Sequence, residues 1–121
     1  MSRNRASAKA AGSRFERQVA DYLKGALDDD RIDRRVKHGA KDRGDIAGVR
    51  FHGRSIVIEA KDYGGRIQAG PWIQEAQIEA GNDDALLGFV VAKRRGVTNP
   101  GEQWVLMTVD DVVKLLNRGQ E

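Results

Sequence analysis

Residues 45–61 read DIAGVRFHGRSIVIEAK. Apolar residues recur on both sides of His52-Gly53, which reads as a tight turn. The pattern predicts a β-hairpin, with Asp45–Phe51 as one strand and Ser55–Lys61 as the next. The second strand is unusual, because Ile56-Val57-Ile58 runs straight into Glu59-Ala60-Lys61. Strand side chains alternate in direction. Ile56, Ile58 and Ala60 therefore share one face, and Val57, Glu59 and Lys61 share the other. Pairing across the turn brings Asp45, at the start of the first strand, beside Glu59 and Lys61 at the end of the second.

Working outward, helical spacing of Phe15, Val19, Tyr22, Leu23, Ala26 and Leu27 predicts a helix before the hairpin. Ser13 and Glu16 form a capping-box pattern at its start. Residues 1–11 are small, polar and basic and read as a flexible arm, with helical tendency near Ala8–Ala11. Asp28–Asp30 break the helix, and a short strand is expected around Ile32–Val36. Beyond the hairpin, the glycine-rich loop 63–71 leads into a helix over about Trp72–Ala80, with Pro71 in its first turn. ALLGFVVAK (85–93) reads as a buried strand and QWVLMTV (103–109) as another. Asp110 is expected to cap a last helix carrying Val112, Val113, Leu115 and Leu116. The order α-β-β-β-α-β-β-α predicts one domain over residues 12–121, a mixed sheet with helices packed on it, of the α/β or α+β class.

The chain has 121 residues and no cysteine, which excludes disulfides and thiolate metal sites. No apolar run is long enough to span a bilayer, and the N-terminus has no secretory h-region, so a soluble, cytoplasmic protein is expected. Its 21 Lys and Arg against 18 acidic residues leave a net charge of only +3, but the charges are segregated. Arg3, Arg5, Lys9, Arg14 and Arg17 load the first segment. Arg31, Arg34, Arg35, Lys37, Lys41 and Arg43 load the second, and Lys93, Arg94 and Arg95 form a third cluster. Such clusters fit a polyanion partner as well as solvated basic faces.

Two carboxylates side by side repel unless a cation lies between them. A hard divalent cation such as Mg²⁺ takes carboxylate, water and phosphate oxygens as ligands. Asp45 and Glu59 have the chemistry for that ion, and Lys61 the chemistry to orient an attacking water. The set reads as a phosphodiester-cleaving centre. The competing reading of Glu59 and Lys61 is a same-face ion pair on a half-exposed strand.

RGDIAGV and IVIEAK together resemble the PD-(D/E)xK motif of the restriction-endonuclease-like nucleases. GSRFERQVADYL (12–23) resembles the first helix of archaeal-type and phage-encoded Holliday junction resolvases. The segments from WIQEAQIEAGN through GFVVAKRRG to QWVLMTVDDVVKLL are similar to the C-terminal half of the phage enzymes. Gly44 departs from the pattern, which places proline before the aspartate. The resemblance implies a restriction-endonuclease-like α/β fold and a homodimer that cleaves four-way DNA junctions to 5′-phosphate and 3′-hydroxyl ends. It implies Mg²⁺ as cofactor, with Mn²⁺ substituting, and no small-molecule cofactor. Asp45, Glu59, Glu16 and the Ala60 carbonyl become the metal ligands, with Lys61 positioning the water. For Glu16 the capping box is the competing role.

DNA phosphates are assigned to Arg14, Arg17, Arg34, Arg35, Lys37, Lys93 and Arg94. Gln77 is a candidate neighbour of Lys61, as against a solvated helix position, and Gln74 lies on the same helix. His52 reads as a turn residue, while His38 lies where it could touch DNA. Trp72 and Trp104 are expected in the core or a dimer interface, and the Tyr63 loop beside the site. Two other readings stay open: a nicking, flap or restriction-like endonuclease, and a DNA-binding module whose carboxylates serve only as ion-pair partners.

Overall fold

β4, Arg54–Lys61, is the strand around which the other elements gather. The computed structural model describes residues 3–36 and 42–117. Their order is α1 (Arg5–Ala26), β1 (Asp33–Arg34), β2 (Ile46–Ala47), β3 (Arg50–Phe51), β4, α2 (Ala69–Asn82), β5 (Leu87–Ala92), a 3-10 turn (Pro100–Glu102), β6 (Trp104–Leu106) and α3 (Val109–Leu116). The sheet runs β1-β2-β4-β5-β6, with β3 also paired to β4. β4 and β5 are parallel, with Glu59 opposite Val90 and Lys61 opposite Ala92, and the other pairs are antiparallel. Parallel neighbours need a crossover, and α2 supplies it. The result is an α/β protein with a mixed open sheet and three helices.

Alternation along β4 works as the sequence predicts, but both faces are covered. Ile56, Ile58 and Ala60 bury against Phe15, Val19 and Ala20 of α1, and Leu115 of α3 packs on the same cluster. On the other face, Trp72 and Ala76 of α2 bury against Val90 and Ala92. Gly88 makes that second contact possible: a Cβ there would lie 2.4 Å from the Ala76 carbonyl oxygen. Glycine inside a strand marks such close backbone approach.

The strand expected over Asp45–Phe51 is interrupted. Arg50 opposes Ser55, yet Ile46 opposes Ile58, so the first strand carries one extra residue. The bulge falls at Gly48-Val49, where Gly48 has φ +88 and a Cβ would lie 2.2 Å from the Arg31 carbonyl oxygen. Its effect on register is large, because a one-residue slip exchanges the two faces of a strand. Without the bulge Ile46 would face Glu59 instead of entering the core opposite Ile58.

At four helix ends the structure differs from the sequence expectation. Residues 5–11, where helical tendency was expected only near Ala8–Ala11, all belong to α1: the Asn4 side chain accepts from the Ser7 N–H at 2.7 Å and caps an alanine-rich helix. Ser13 and Glu16 therefore lie inside α1 and form no capping box. α3 is capped by Thr108, whose hydroxyl accepts from the Asp111 N–H, and Asp110 lies in the first turn. The helix expected over Trp72–Ala80 is longer, and Pro71 still falls within its first turn, where its missing N–H costs no helical bond. Lys37 and His38 lie outside the described residues. Among those described, no helix is long and apolar enough to cross a membrane.

Candidate functional site

Asp45 occupies a bend immediately before β2, held by three hydrogen bonds. Its N–H donates to the Ile58 carbonyl (2.9 Å), its carbonyl accepts from the Arg35 N–H (2.7 Å), and its Oδ2 accepts from the Ala60 N–H (2.9 Å). The carboxylate thus takes the place of a ladder acceptor beside β4. Gly44 shapes this bend with φ +96, and a Cβ there would lie 2.8 Å from Val57 Cγ1. Proline, fixed near φ −65°, cannot take that conformation. The glycine that departs from the nuclease pattern is therefore the residue this bend requires.

Glu59 is 3 % exposed, and its Oε2 is buried without a hydrogen-bond partner. Lys61 Nζ lies 3.7 Å from Glu59 Oε1 and 2.6 Å from Glu75 Oε1 on α2. Glu79, one turn further along α2, is also 3 % exposed and contacts Glu59. Burial pushes the Glu59 carboxyl up to about 10, with Asp45 and then Glu79 adding to it. Burial likewise pushes Asp45 up to about 6, against the Ala60 N–H that favours its charged form, and Glu79 up to about 8. Burial lowers Lys61, but the Glu75 and Glu59 carboxylates outweigh it and hold the ammonium above its usual range. Crowded, desolvated acids of this kind favour either protons or a cation.

Asp45, Glu59, Lys61 and Glu75 open into a cleft of about 780 Å³. Glu16, Asp42, Asp45, Glu59, Ala60, Lys61 and Glu75 line its floor and walls, together with Arg3, Lys9, Arg66 and Arg95. Glu16, Asp45, Glu59, Ala60 and Lys61 are thus brought together from α1, the bend before β2, and β4. Glu16 Oε1 is paired with the Arg34 guanidinium at 3.0 Å. The oxygen-only donor set and the orphaned Glu59 oxygen fit a hard divalent cation.

The basic residues predicted for DNA contact are dispersed. Arg14, Arg17 and Arg34 lie along a separate shallow groove, and Arg17 is paired with Asp33 at 2.7 Å. Arg35 is tied to Asp83, 3.7 Å away at the end of α2. Lys93 donates to the Arg94 and Val97 carbonyls within its own loop. Arg94 stacks 4.0 Å from the Trp104 ring centre and donates to the Glu102 carbonyl. None of these five arginines, nor Lys93, lines the cleft. Gln77 and Gln74 are exposed on α2, and Glu75 occupies the position beside Lys61. Trp72 is buried and packs with Tyr63, whereas Trp104 is half exposed. His52 is an exposed turn residue with φ +49.

Sequence reasoning missed Glu75 and Glu79, although a signal existed. They stand at i, i+4 on the stripe of α2 that includes Trp72, Ala76 and Ala80, so helical periodicity places acids against the sheet. It also missed the cleft's own basic rim. Gly65, with φ +98, lies so close to Arg95 that a Cβ would meet the Arg95 Cβ at 2.7 Å. That contact packs the loop after β4 onto the loop after β5, and Arg66 and Arg95 from these loops line the cleft. Arg3 reaches the same cleft by donating to the Asp62 carbonyl (2.8 Å) and to its carboxylate (3.0 Å).

Comparison of the chain with protein-family models, curated proteins and solved structures finds no match.

Proposed function

We propose that the protein is a divalent-cation-dependent DNA endonuclease of restriction-endonuclease-like fold, acting as a resolvase of four-way junctions. One observation carries this reading: the Asp45 carboxylate is fixed against β4 by the Ala60 N–H and lines, with the buried Glu59 carboxylate and the Lys61 ammonium, a cleft with a basic rim. Asp45 and Glu59 hold the cation, with the Ala60 carbonyl and Glu16 completing its surroundings. Bound Mg²⁺ supplies Lewis-acid polarisation of the phosphate and a more acidic water.

The chain's own groups do the rest. Glu75 holds Lys61 in place and keeps it protonated, so Lys61 acts as a donor that orients the attacking water and stabilises charge on the phosphate oxygens. Arg3, Lys9, Arg66 and Arg95 attract and seat the flanking phosphates. A junction presents two opposed strands, which calls for two centres and hence a homodimer. Val109, Val112, Val113 and Leu116 form an exposed apolar stripe on α3 and offer a face for the second copy.

The test is cleavage of immobile four-way junctions, flaps, nicked duplex and linear duplex, each with Mg²⁺ and with chelator. Paired symmetric nicks on junctions alone, abolished by chelator, are expected. Preference for flaps or linear duplex would reassign the substrate, and no cleavage of any DNA would overturn the reading.

A further inference from the structure

Glu59 also belongs to a second acidic convergence that the nuclease motif does not contain. One carboxylate oxygen each from Asp42, Glu59 and Glu79 fall within 4.8 Å of one another. They come from three elements: the loop before β2, β4 itself, and α2. Glu59 and Glu79 are each 3 % exposed, and Oε2 of both is buried with no hydrogen-bond partner. Glu59 Oε1 is the oxygen Lys61 approaches, so Oε2 is the one left over.

The positions of these acids are locked by the backbone. Asp42 Oδ1 accepts from the Gly44 N–H at 3.0 Å, which sets the loop, and its carbonyl accepts from Asn82 Nδ2 at 2.9 Å, which ties the loop to the end of α2. Gly88 lets α2 descend onto β5 and so brings Glu79 down to Glu59. Leaving two carboxyl oxygens buried without a hydrogen bond costs free energy, and more when they are charged. A proton shared between Glu59 and Glu79 lowers that cost in the metal-free protein, and a bound cation removes it for all three acids.

We propose that Asp42, Glu59 and Glu79 form a second divalent-cation subsite, sharing Glu59 with the Asp45 side of the cleft. All donors are oxygens, so the ion is hard: Mg²⁺, Mn²⁺ or Ca²⁺ and not a thiolate- or imidazole-seeking metal. Opposed ligands on an ion with bonds of about 2.1 Å stand roughly 4.2 Å apart, and about 5 Å for Ca²⁺. The observed spread therefore accommodates the ion with side-chain adjustment alone. The proposal deepens the nuclease reading, on which it rests only through the shared Glu59.

The test counts Mn²⁺ ions by calorimetry and by electron paramagnetic resonance on the full chain, without DNA. Wild type is expected to bind two ions with a spin-coupled spectrum, since ions sharing a carboxylate stand about 3.5–4 Å apart. Asp45→Asn and Glu79→Gln should each lose one, with binding of the affected ion weakened at least tenfold. Asp42→Asn, in a loop, should repeat the Glu79→Gln result and serves if the helix variant does not fold. A single uncoupled ion, lost in Asp45→Asn but kept in both other variants, would overturn the subsite and leave the nuclease reading standing. An ion lost in Glu79→Gln but unaffected by Asp45→Asn would support the subsite and remove the nuclease reading. No ion at all would overturn both.

Discussion

The two faces of β4 use the same alternation for opposite ends. Against α1, Ile56, Ile58 and Ala60 join an apolar cluster, and burial stabilises it by about 1.5–3 kcal/mol per large side chain. Against α2, Val57 is followed by Glu59 and Lys61, and burial works against the acids. One face of the strand holds the sheet together. The other maintains an unfavourable arrangement that the first can sustain, as functional sites commonly do.

Substituting adjacent residues breaks the comparison most sharply. Ile58→Ala should cost about 2–5 kcal/mol in denaturant unfolding, as expected for a buried large-to-small change. Glu59→Gln should instead raise stability at neutral pH in chelator while abolishing cleavage. The sign follows from linkage: a carboxyl raised from about 4.5 to about 10 gives stability that is full below the unfolded value and lost as pH rises through the folded one. Metal-free wild type should therefore lose thermal stability between pH 5 and 9 in a melting series, and Glu59→Gln should lose less. Saturating Mn²⁺ should flatten the wild-type dependence, and an unchanged slope would argue against a cation among these acids.

A smaller effect sharpens how α2 is placed. Gly88→Ala puts a Cβ against the Ala76 carbonyl and should cost about 1–3 kcal/mol through overpacking. Gly25→Ala, in exposed helix α1 with open space around it, should instead stabilise by about 0.4–1 kcal/mol. Equal effects in melting experiments would mean that helix approach does not position Glu75 and Glu79. The smallest effect concerns the rim. Arg66→Ala and Arg95→Ala should each weaken junction binding and reduce the salt slope by about 1, without changing Mn²⁺ uptake. Arg94→Ala, outside the cleft, should leave the slope unchanged.

How much of this was legible depended on the range of the interaction. Alternation in Ile56–Lys61 and the turn at His52-Gly53 foretold that Asp45 and Glu59 converge, because hairpin pairing is local. The bulge at Gly48 was not foreseen, although a glycine inside a strand pattern is its usual sign. The start of α1 at Arg5 depends on the Asn4 cap and the alanines that propagate the helix, which the basic composition of this segment does not signal. Arg34, Arg35, Lys93 and Arg94 were assigned by charge and chain position, whereas their partners Glu16, Asp83, Val97 and Trp104 are set by tertiary packing. Arg3 and Arg95 reach the cleft through contacts with Asp62 and Gly65 that no local pattern encodes.

The most direct test of the central claim compares wild type with Asp45→Asn in single-turnover cleavage of a four-way junction, at matched DNA occupancy and with Mg²⁺ present. The substitution preserves the shape of the side chain that meets the Ala60 N–H and removes the charge offered to a cation. Cleavage reduced by about 10²-fold or more, with junction affinity intact, is the predicted result. Equal cleavage by the two proteins would contradict the claim that Asp45 and Glu59 form the reactive centre.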